Sequence, residues 1–162
     1  MSVSLRAAVP SDASLVYALI GELAVYEKLT HEVAASEADI AAALFAPQPR
    51  VFCEIVDWDG APAGFALWFY TFSTFRGRHG IYLEDLFVRP EFRGRGLGKA
   101  LVARLAERCR DEGLGRLEWS VLDWNAPSIE FYQGLGARPV EGWTGYRLDG
   151  GALAALGGAK QE

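Results

Sequence analysis

The chain has little of what builds disulfide scaffolds, metal centres or membrane anchors. Cysteine occurs twice in 162 residues, at Cys53 and Cys109, in segments that read as a strand and a helix. Two such thiols make no disulfide framework; they read as buried small apolar side chains in a protein of the reducing cytoplasm. Histidine is as scarce, at His31 and His79. Neither has a Cys or His neighbour at ligand spacing, so no metal site is expected. The most apolar stretch, 65–70, is far too short to span a bilayer, which excludes a membrane partner through a spanning helix. Residues 1–10 lack the basic cluster and apolar run of a secretory leader. Repeats, low-complexity tracts and long linkers are missing too, so a single domain over 1–162 is expected.

Positive charge is also in deficit. Lys and Arg number 16 against 21 Asp and Glu, a formal net charge of -5. That balance argues against a general nucleic-acid partner, which phosphate contact would make basic. It suits a small cationic partner such as an amine, which an acidic field attracts. The 51% hydrophobic and 23% charged residues are those of an ordinary globular protein, long enough to bury a core.

A strand is expected over 5–8, then a helix from Pro10-Ser11-Asp12, where Leu15, Val16, Leu19, Ile20, Leu23 and Tyr26 recur at helical spacing. A second helix is expected over 36–45, stopped by Pro47 and Pro49. Strands follow over 51–56 and 63–72 around Trp58-Asp59-Gly60, a hairpin signal, and a third over 81–88. Leu97, Leu101, Val102, Leu105 and Cys109 mark one face of a helix over 96–112, closed by Gly113 and Gly115. Beyond lie a strand over 117–122, a short helix over 127–132, a strand pair over 137–148 and a C-terminal helix. The order describes an α/β domain.

Between the strand ending at Val88 and the long helix lies Arg93-Gly94-Arg95-Gly96-Leu97-Gly98-Lys99. A helix start offers unpaired N–H groups and partial positive charge, and this one adds three cations and three glycines. The chemistry points to a phosphate-bearing ligand. A phosphate loop needs Gly at 93 and Ser or Thr at 100, where Arg93 and Ala100 stand. A dinucleotide fingerprint needs a third glycine at 99, which is Lys99. Arg-x-x-Gly-x-Gly, read as Arg93, Gly96 and Gly98, remains.

This motif, after a strand and before an amphipathic helix, resembles the acetyl-coenzyme A segment of the GNAT acetyltransferases. Asn125-Ala126-Pro127-Ser128, Phe131-Tyr132 and Leu135-Gly136-Ala137 resemble the family's second cofactor segment. The likeness narrows at Glu22-Leu23-Ala24-Val25-Tyr26-Glu27-Lys28-Leu29, Tyr82-Leu83-Glu84-Asp85-Leu86-Phe87-Val88, Val121-Leu122-Asp123-Trp124-Asn125 and Glu141-Gly142-Trp143. These blocks resemble the spermidine/spermine acetyltransferase-like branch. The segment from Phe72 to Arg78 resembles that branch's thialysine acetyltransferases: Ser73, Thr74 and Phe75 stand where the polyamine enzymes carry an acidic residue, a proline and a tryptophan.

The resemblance implies a mixed central sheet with helices on both faces. It implies acetyl-CoA as cofactor and a homodimer. Acetyl would pass by direct attack to a primary amine of a small substrate, a lysine-like amino acid or thialysine before a polyamine. Glu84 would be the base through water and Tyr132 the acid. The cofactor would meet Leu86, Phe87, Val88, the segment Arg93, Gly94, Arg95, Gly96, Leu97, Gly98 and Lys99, then Asn125, Ser128 and Tyr132, with Leu86 and Val88 offering backbone groups. Glu27, Asp85, Trp143 and Phe75 would hold the amine.

Residue chemistry alone leaves other readings open. Glu84 and Asp85, on opposite faces of a regular strand, also suit a solvent-facing strand end. Tyr132 and Trp143 also suit core aromatics, Glu27 an exposed helix position, and Asn125 a helix cap. A protein lysine or N-terminal acetyltransferase, and an acetyl-CoA-binding module without catalysis, share the same motifs.

Overall fold

The computed structural model describes residues 1–158. The chain divides into two compact units, Met1–Asn125 and Ala126–Glu162.

The first unit is built on a five-stranded mixed sheet in the order β1-β2-β3-β4-β5. Its strands are β1 (Val3–Ala7), β2 (Phe52–Trp58), β3 (Ala61–Ser73), β4 (Arg78–Val88) and β5 (Leu117–Glu118). The first four pair antiparallel and β5 joins β4 in parallel. Asp59-Gly60 turns the β2–β3 hairpin with both residues at positive φ, as its sequence predicts.

Two helices cover one face. α1 (Ala13–Tyr26) presents Val16, Leu19 and Leu23, and α2 (Glu37–Leu44) presents Leu44, to Cys53, Ile55, Phe65, Leu67 and Phe87. A reciprocal cap starts α2: Ser36 Oγ accepts from the Asp39 N–H at 3.1 Å, and Asp39 Oδ2 accepts from the Ser36 N–H at 2.8 Å. On the opposite face α3 (Leu97–Glu112) buries Leu97, Leu101, Val102 and Leu105, the positions its periodicity marks. Its Arg108 lies 5.0 Å from the Trp68 ring centroid and reaches the buried Glu54 at 3.5 Å. Helices on both faces of a mixed sheet are the expected architecture.

The second unit holds α4 (Ala126–Gly134) and α5 (Gly150–Gly157). The strand pair expected over 137–148 is absent; that stretch carries no regular structure among the described residues. Pro139, Gly142 and Gly145 interrupt it, and Val140, Trp143 and Tyr146 recur every third residue, which matches no pleat. β5 is also shorter than expected and leaves β4 after Glu118. Burial of Cys53 pushes its thiol up to about 12, consistent with an inert core cysteine.

Candidate active site

The site begins with an irregularity in β4. Asp85 lies opposite Leu67 and Leu83 opposite Trp68, so Glu84 is an extra residue with no partner on β3. The bulge reverses the hydrogen-bonding parity of the strand. Before it, the His79 carbonyl and Ile81 N–H point to β5, accepting from Gly115 at 2.8 Å and donating to Arg116 at 2.9 Å. After it, the Arg89 N–H points to β3, donating to the Ala63 carbonyl at 2.8 Å. All three positions are odd-numbered, so a regular strand would have kept them on one side. Leu86 and Val88 therefore turn their backbone groups toward the β5 side, where β5 pairs only with Ile81 and Tyr82. Among the described residues no strand pairs with Leu86 and Val88 on that edge, where the Val88 carbonyl is met only by the Arg93 side chain.

The same bulge gathers carboxylates. Tyr82 is opposite Phe69 and Asp85 opposite Leu67, so Tyr82 and Asp85 share a face although three residues apart. The regular alternation that would oppose Glu84 to Asp85 does not hold here. Burial pushes Asp85 up to about 7, and the negative charges of Glu84 and Glu27 add to the rise. Glu27, the residue that closes α1, is itself raised by burial. Three acids from two elements thus meet at one strand irregularity.

The end of α1 completes this corner. The Tyr26 hydroxyl donates to Asn125 Oδ1 at 3.0 Å, and Asn125 is 4% exposed. Lys28, in the left-handed region at φ 61, holds its ammonium 5.1 Å from the Trp124 ring centroid. Trp124 in turn lies 6.2 Å from the Tyr26 ring. None of Tyr26, Lys28 or Trp124 was singled out as a site residue by sequence reasoning. The only sequence signal is the block around each.

Of the three cations in the glycine turn, two are turned onto neighbours. Arg93 Nε donates to the Val88 carbonyl at 2.9 Å, and its guanidinium lies 4.9 Å from the Tyr26 ring and 5.6 Å from the Phe87 ring. Arg95 stacks 4.8 Å from Trp58 and 5.8 Å from Phe92. Lys99 makes no ion pair among the described residues. Arg89 is bound by Glu22, at 3.0 Å from Nη2 to Oε2, and by the Pro62 carbonyl at 3.1 Å. It therefore works inside the fold.

Other expected site residues lie elsewhere. Phe75 sits in the β3–β4 turn, 99% exposed, and is not part of the acidic corner. Ser128 and Tyr132 are half-buried on α4 in the second unit, with the Tyr132 carbonyl accepting from Leu135 and Ala137. Trp143 belongs to the same unit and is exposed.

The family model described as Acetyltransferase (GNAT) family matches residues 16–137. The chain belongs to the GNAT acetyltransferase family. It is 38% identical to the thialysine N-epsilon-acetyltransferase of Bos taurus over 96% of this chain and 98% of that one. Against the L-ornithine N5-acetyltransferase of Arabidopsis thaliana it is 31% identical over 94% of this chain and 86% of that one. Among solved structures, an integron cassette protein from the mobile metagenome of V. cholerae superposes with a TM-score of 0.81 at 29% identity, covering 98% and 99% of the two chains. The protein is thus a GNAT N-acetyltransferase, and acetyl transfer is its reaction.

GNAT enzymes use acetyl-CoA as co-substrate, and the glycine turn of this GNAT chain fits the phosphates of such a ligand. Gly96 caps α3 at φ 76 without any side-chain hydrogen bond, and the first turn of the helix carries no acid. Its leading N–H groups therefore have no intrahelical acceptor, and the helix's own first turn places no negative side chain beside them. A Cβ built on Gly94 or Gly96 would meet nothing within 4 Å, so the outer side of the turn is open.

Proposed function

We propose that this GNAT enzyme takes acetyl from acetyl-CoA and passes it to the side-chain amine of a small lysine-like amino acid such as thialysine, with polyamines poorer substrates. The observation that carries the reading is the meeting of Glu27, Glu84 and Asp85 at a bulge that also frees the backbone edge of Leu86 and Val88. Acid and open edge then serve one reaction: the first receives an ammonium, the second a linear amide-bearing arm.

An alkylamine of pKa ~10.4 is almost wholly protonated at neutral pH. Asp85 and Glu27 hold the ammonium, and Glu84 takes its proton through water as the nitrogen attacks the thioester carbonyl. The C–N bond forms, the C–S bond breaks, Tyr132 gives its hydroxyl proton to the departing sulfur, and the second proton shed by the nitrogen restores the Tyr132 hydroxyl. The backbone of the Arg93, Gly94, Arg95, Gly96, Leu97, Gly98, Lys99 segment holds the pyrophosphate. Leu86, Phe87, Val88, Asn125 and Ser128 line the rest of the cofactor. Phe75 and Trp143 contact the outer part of the substrate, on the family resemblance alone. The same resemblance supports one functional domain over both units, a homodimer and a cytoplasmic setting. No helix among the described residues is long and apolar enough to cross a membrane.

The test is a steady-state comparison of lysine-like amino acids, polyamines and lysine-containing peptides by coenzyme A release. The amino acids should give the highest kcat/KM. A peptide or protein N-terminus exceeding them would replace the small-amine reading with a protein-directed one.

A further inference from the structure

One cation at the end of α1 has no role in the reaction above. Lys28 follows Glu27 directly, at φ 61, the left-handed region that non-glycine residues enter rarely and that clusters at functional positions. Its N–H still bonds the Val25 carbonyl at 3.1 Å, which fixes the backbone as the helix ends. The side chain is exposed and makes no ion pair among the described residues. What holds its ammonium is the Trp124 ring, 5.1 Å away. Trp124 is oriented in turn by Tyr26, whose hydroxyl is tied to Asn125.

A cation carried by the residue next to Glu27 and held over Trp124 is the wrong charge for a site that takes only an ammonium. It is the right charge for a substrate with an amine at one end and a carboxylate at the other. Arg93 is the other cation at this end of α1, but its Nε is spent on the Val88 carbonyl and its plane on Tyr26 and Phe87. Resting on the proposed amine acetylation, we infer that Lys28, held over Trp124, receives the α-carboxylate of the amino-acid substrate and disfavours the second ammonium of a diamine. The residue is a specificity determinant: attraction to the carboxylate and repulsion of the ammonium both act through one charge.

L-lysine and 1,5-diaminopentane test this, because they share a chain and reacting amine and differ by the carboxylate. Wild type should prefer L-lysine. Lys28→Asn suits the left-handed backbone and should lower kcat/KM for L-lysine about five-fold, the scale of one exposed charge pair, while raising it for the diamine. Lys28→Glu should move the ratio further the same way, by about twenty-fold or more in all. The Kd for acetyl-CoA should be unchanged in both, which separates lost specificity from lost folding. A ratio unmoved in both variants, or the two substrates falling together, overturns the role of Lys28 while acetylation of small amines stands. Wild type acetylating neither compound overturns both.

Discussion

The Val88 carbonyl accepts a hydrogen bond from Arg93 Nε at 2.9 Å, so the first residue of the glycine turn caps the open edge of β4. That carbonyl is one of the groups the cofactor arm would pair with in the proposed reading. Removing the cap should therefore free it. Arg93→Ala is expected to tighten binding of S-acetylpantetheine, which carries no pyrophosphate, by about one hydrogen bond, roughly 1 kcal/mol. Isothermal calorimetry measures it, and equal affinities would mean that the cap does not compete with the arm.

Gly96 stands at φ 76 as the cap of α3. Gly96→Ala should cost about 1–2 kcal/mol from the left-handed backbone alone, since a Cβ there meets no neighbour. Acetyl-CoA affinity should fall with it, because the amides of the turn are then aimed differently. Denaturant melts with and without acetyl-CoA report the two effects separately, and an unchanged midpoint would remove the conformational argument.

Asp85 sets a pH dependence of stability. Burial, with Glu84 and Glu27 adding, raises it from 3.8 to about 7 in the folded chain. The folded state therefore binds this proton more tightly than the unfolded state. The stabilisation is full below pH 4 and is lost as pH rises through 7. Between pH 5.5 and 8.5 the wild type should lose on the order of 2 kcal/mol that Asp85→Asn keeps. Urea melts at the two pH values decide it, and parallel losses in both proteins would refute the assignment.

The sequence made the covering helices legible because they answer to local rules. Leu97, Leu101 and Leu105 lie on one face of α3, and Gly113 ends it at φ 68. The span 36–45, stopped by Pro47 and Pro49, holds α2 at Glu37–Leu44. The glycine turn was equally readable, since its glycines and cations are contiguous. The bulge was not, for it exists only in the register of β4 against β3. Glu84 and Asp85 carry no glycine or proline to mark it, and only the polar Asp85 after Ile81 and Leu83 breaks the apolar alternation. The grip of Arg93 on Val88 and of Lys28 on Trp124 was out of reach for the same reason: each depends on where a side chain turns. Over 137–148 the expected strand pair fails because Pro139, Gly142 and Gly145 interrupt the apolar residues.

Tyr132→Phe should keep acetyl-CoA binding and lose about 100-fold in kcat, the smaller end of what a positioned proton donor contributes. The variant lacks only a hydroxyl, so a parallel binding titration separates chemistry from affinity. A full rate would remove Tyr132 from the proton path.

The central claim is that the acidic bulge takes the proton of the amine. Its most direct measurement is kcat for coenzyme A release with thialysine, for wild type and Glu84→Gln side by side, with acetyl-CoA affinity measured on both. The account predicts a fall of about 100-fold or more at unchanged affinity for acetyl-CoA. Glu84→Gln turning over at the wild-type rate would contradict it.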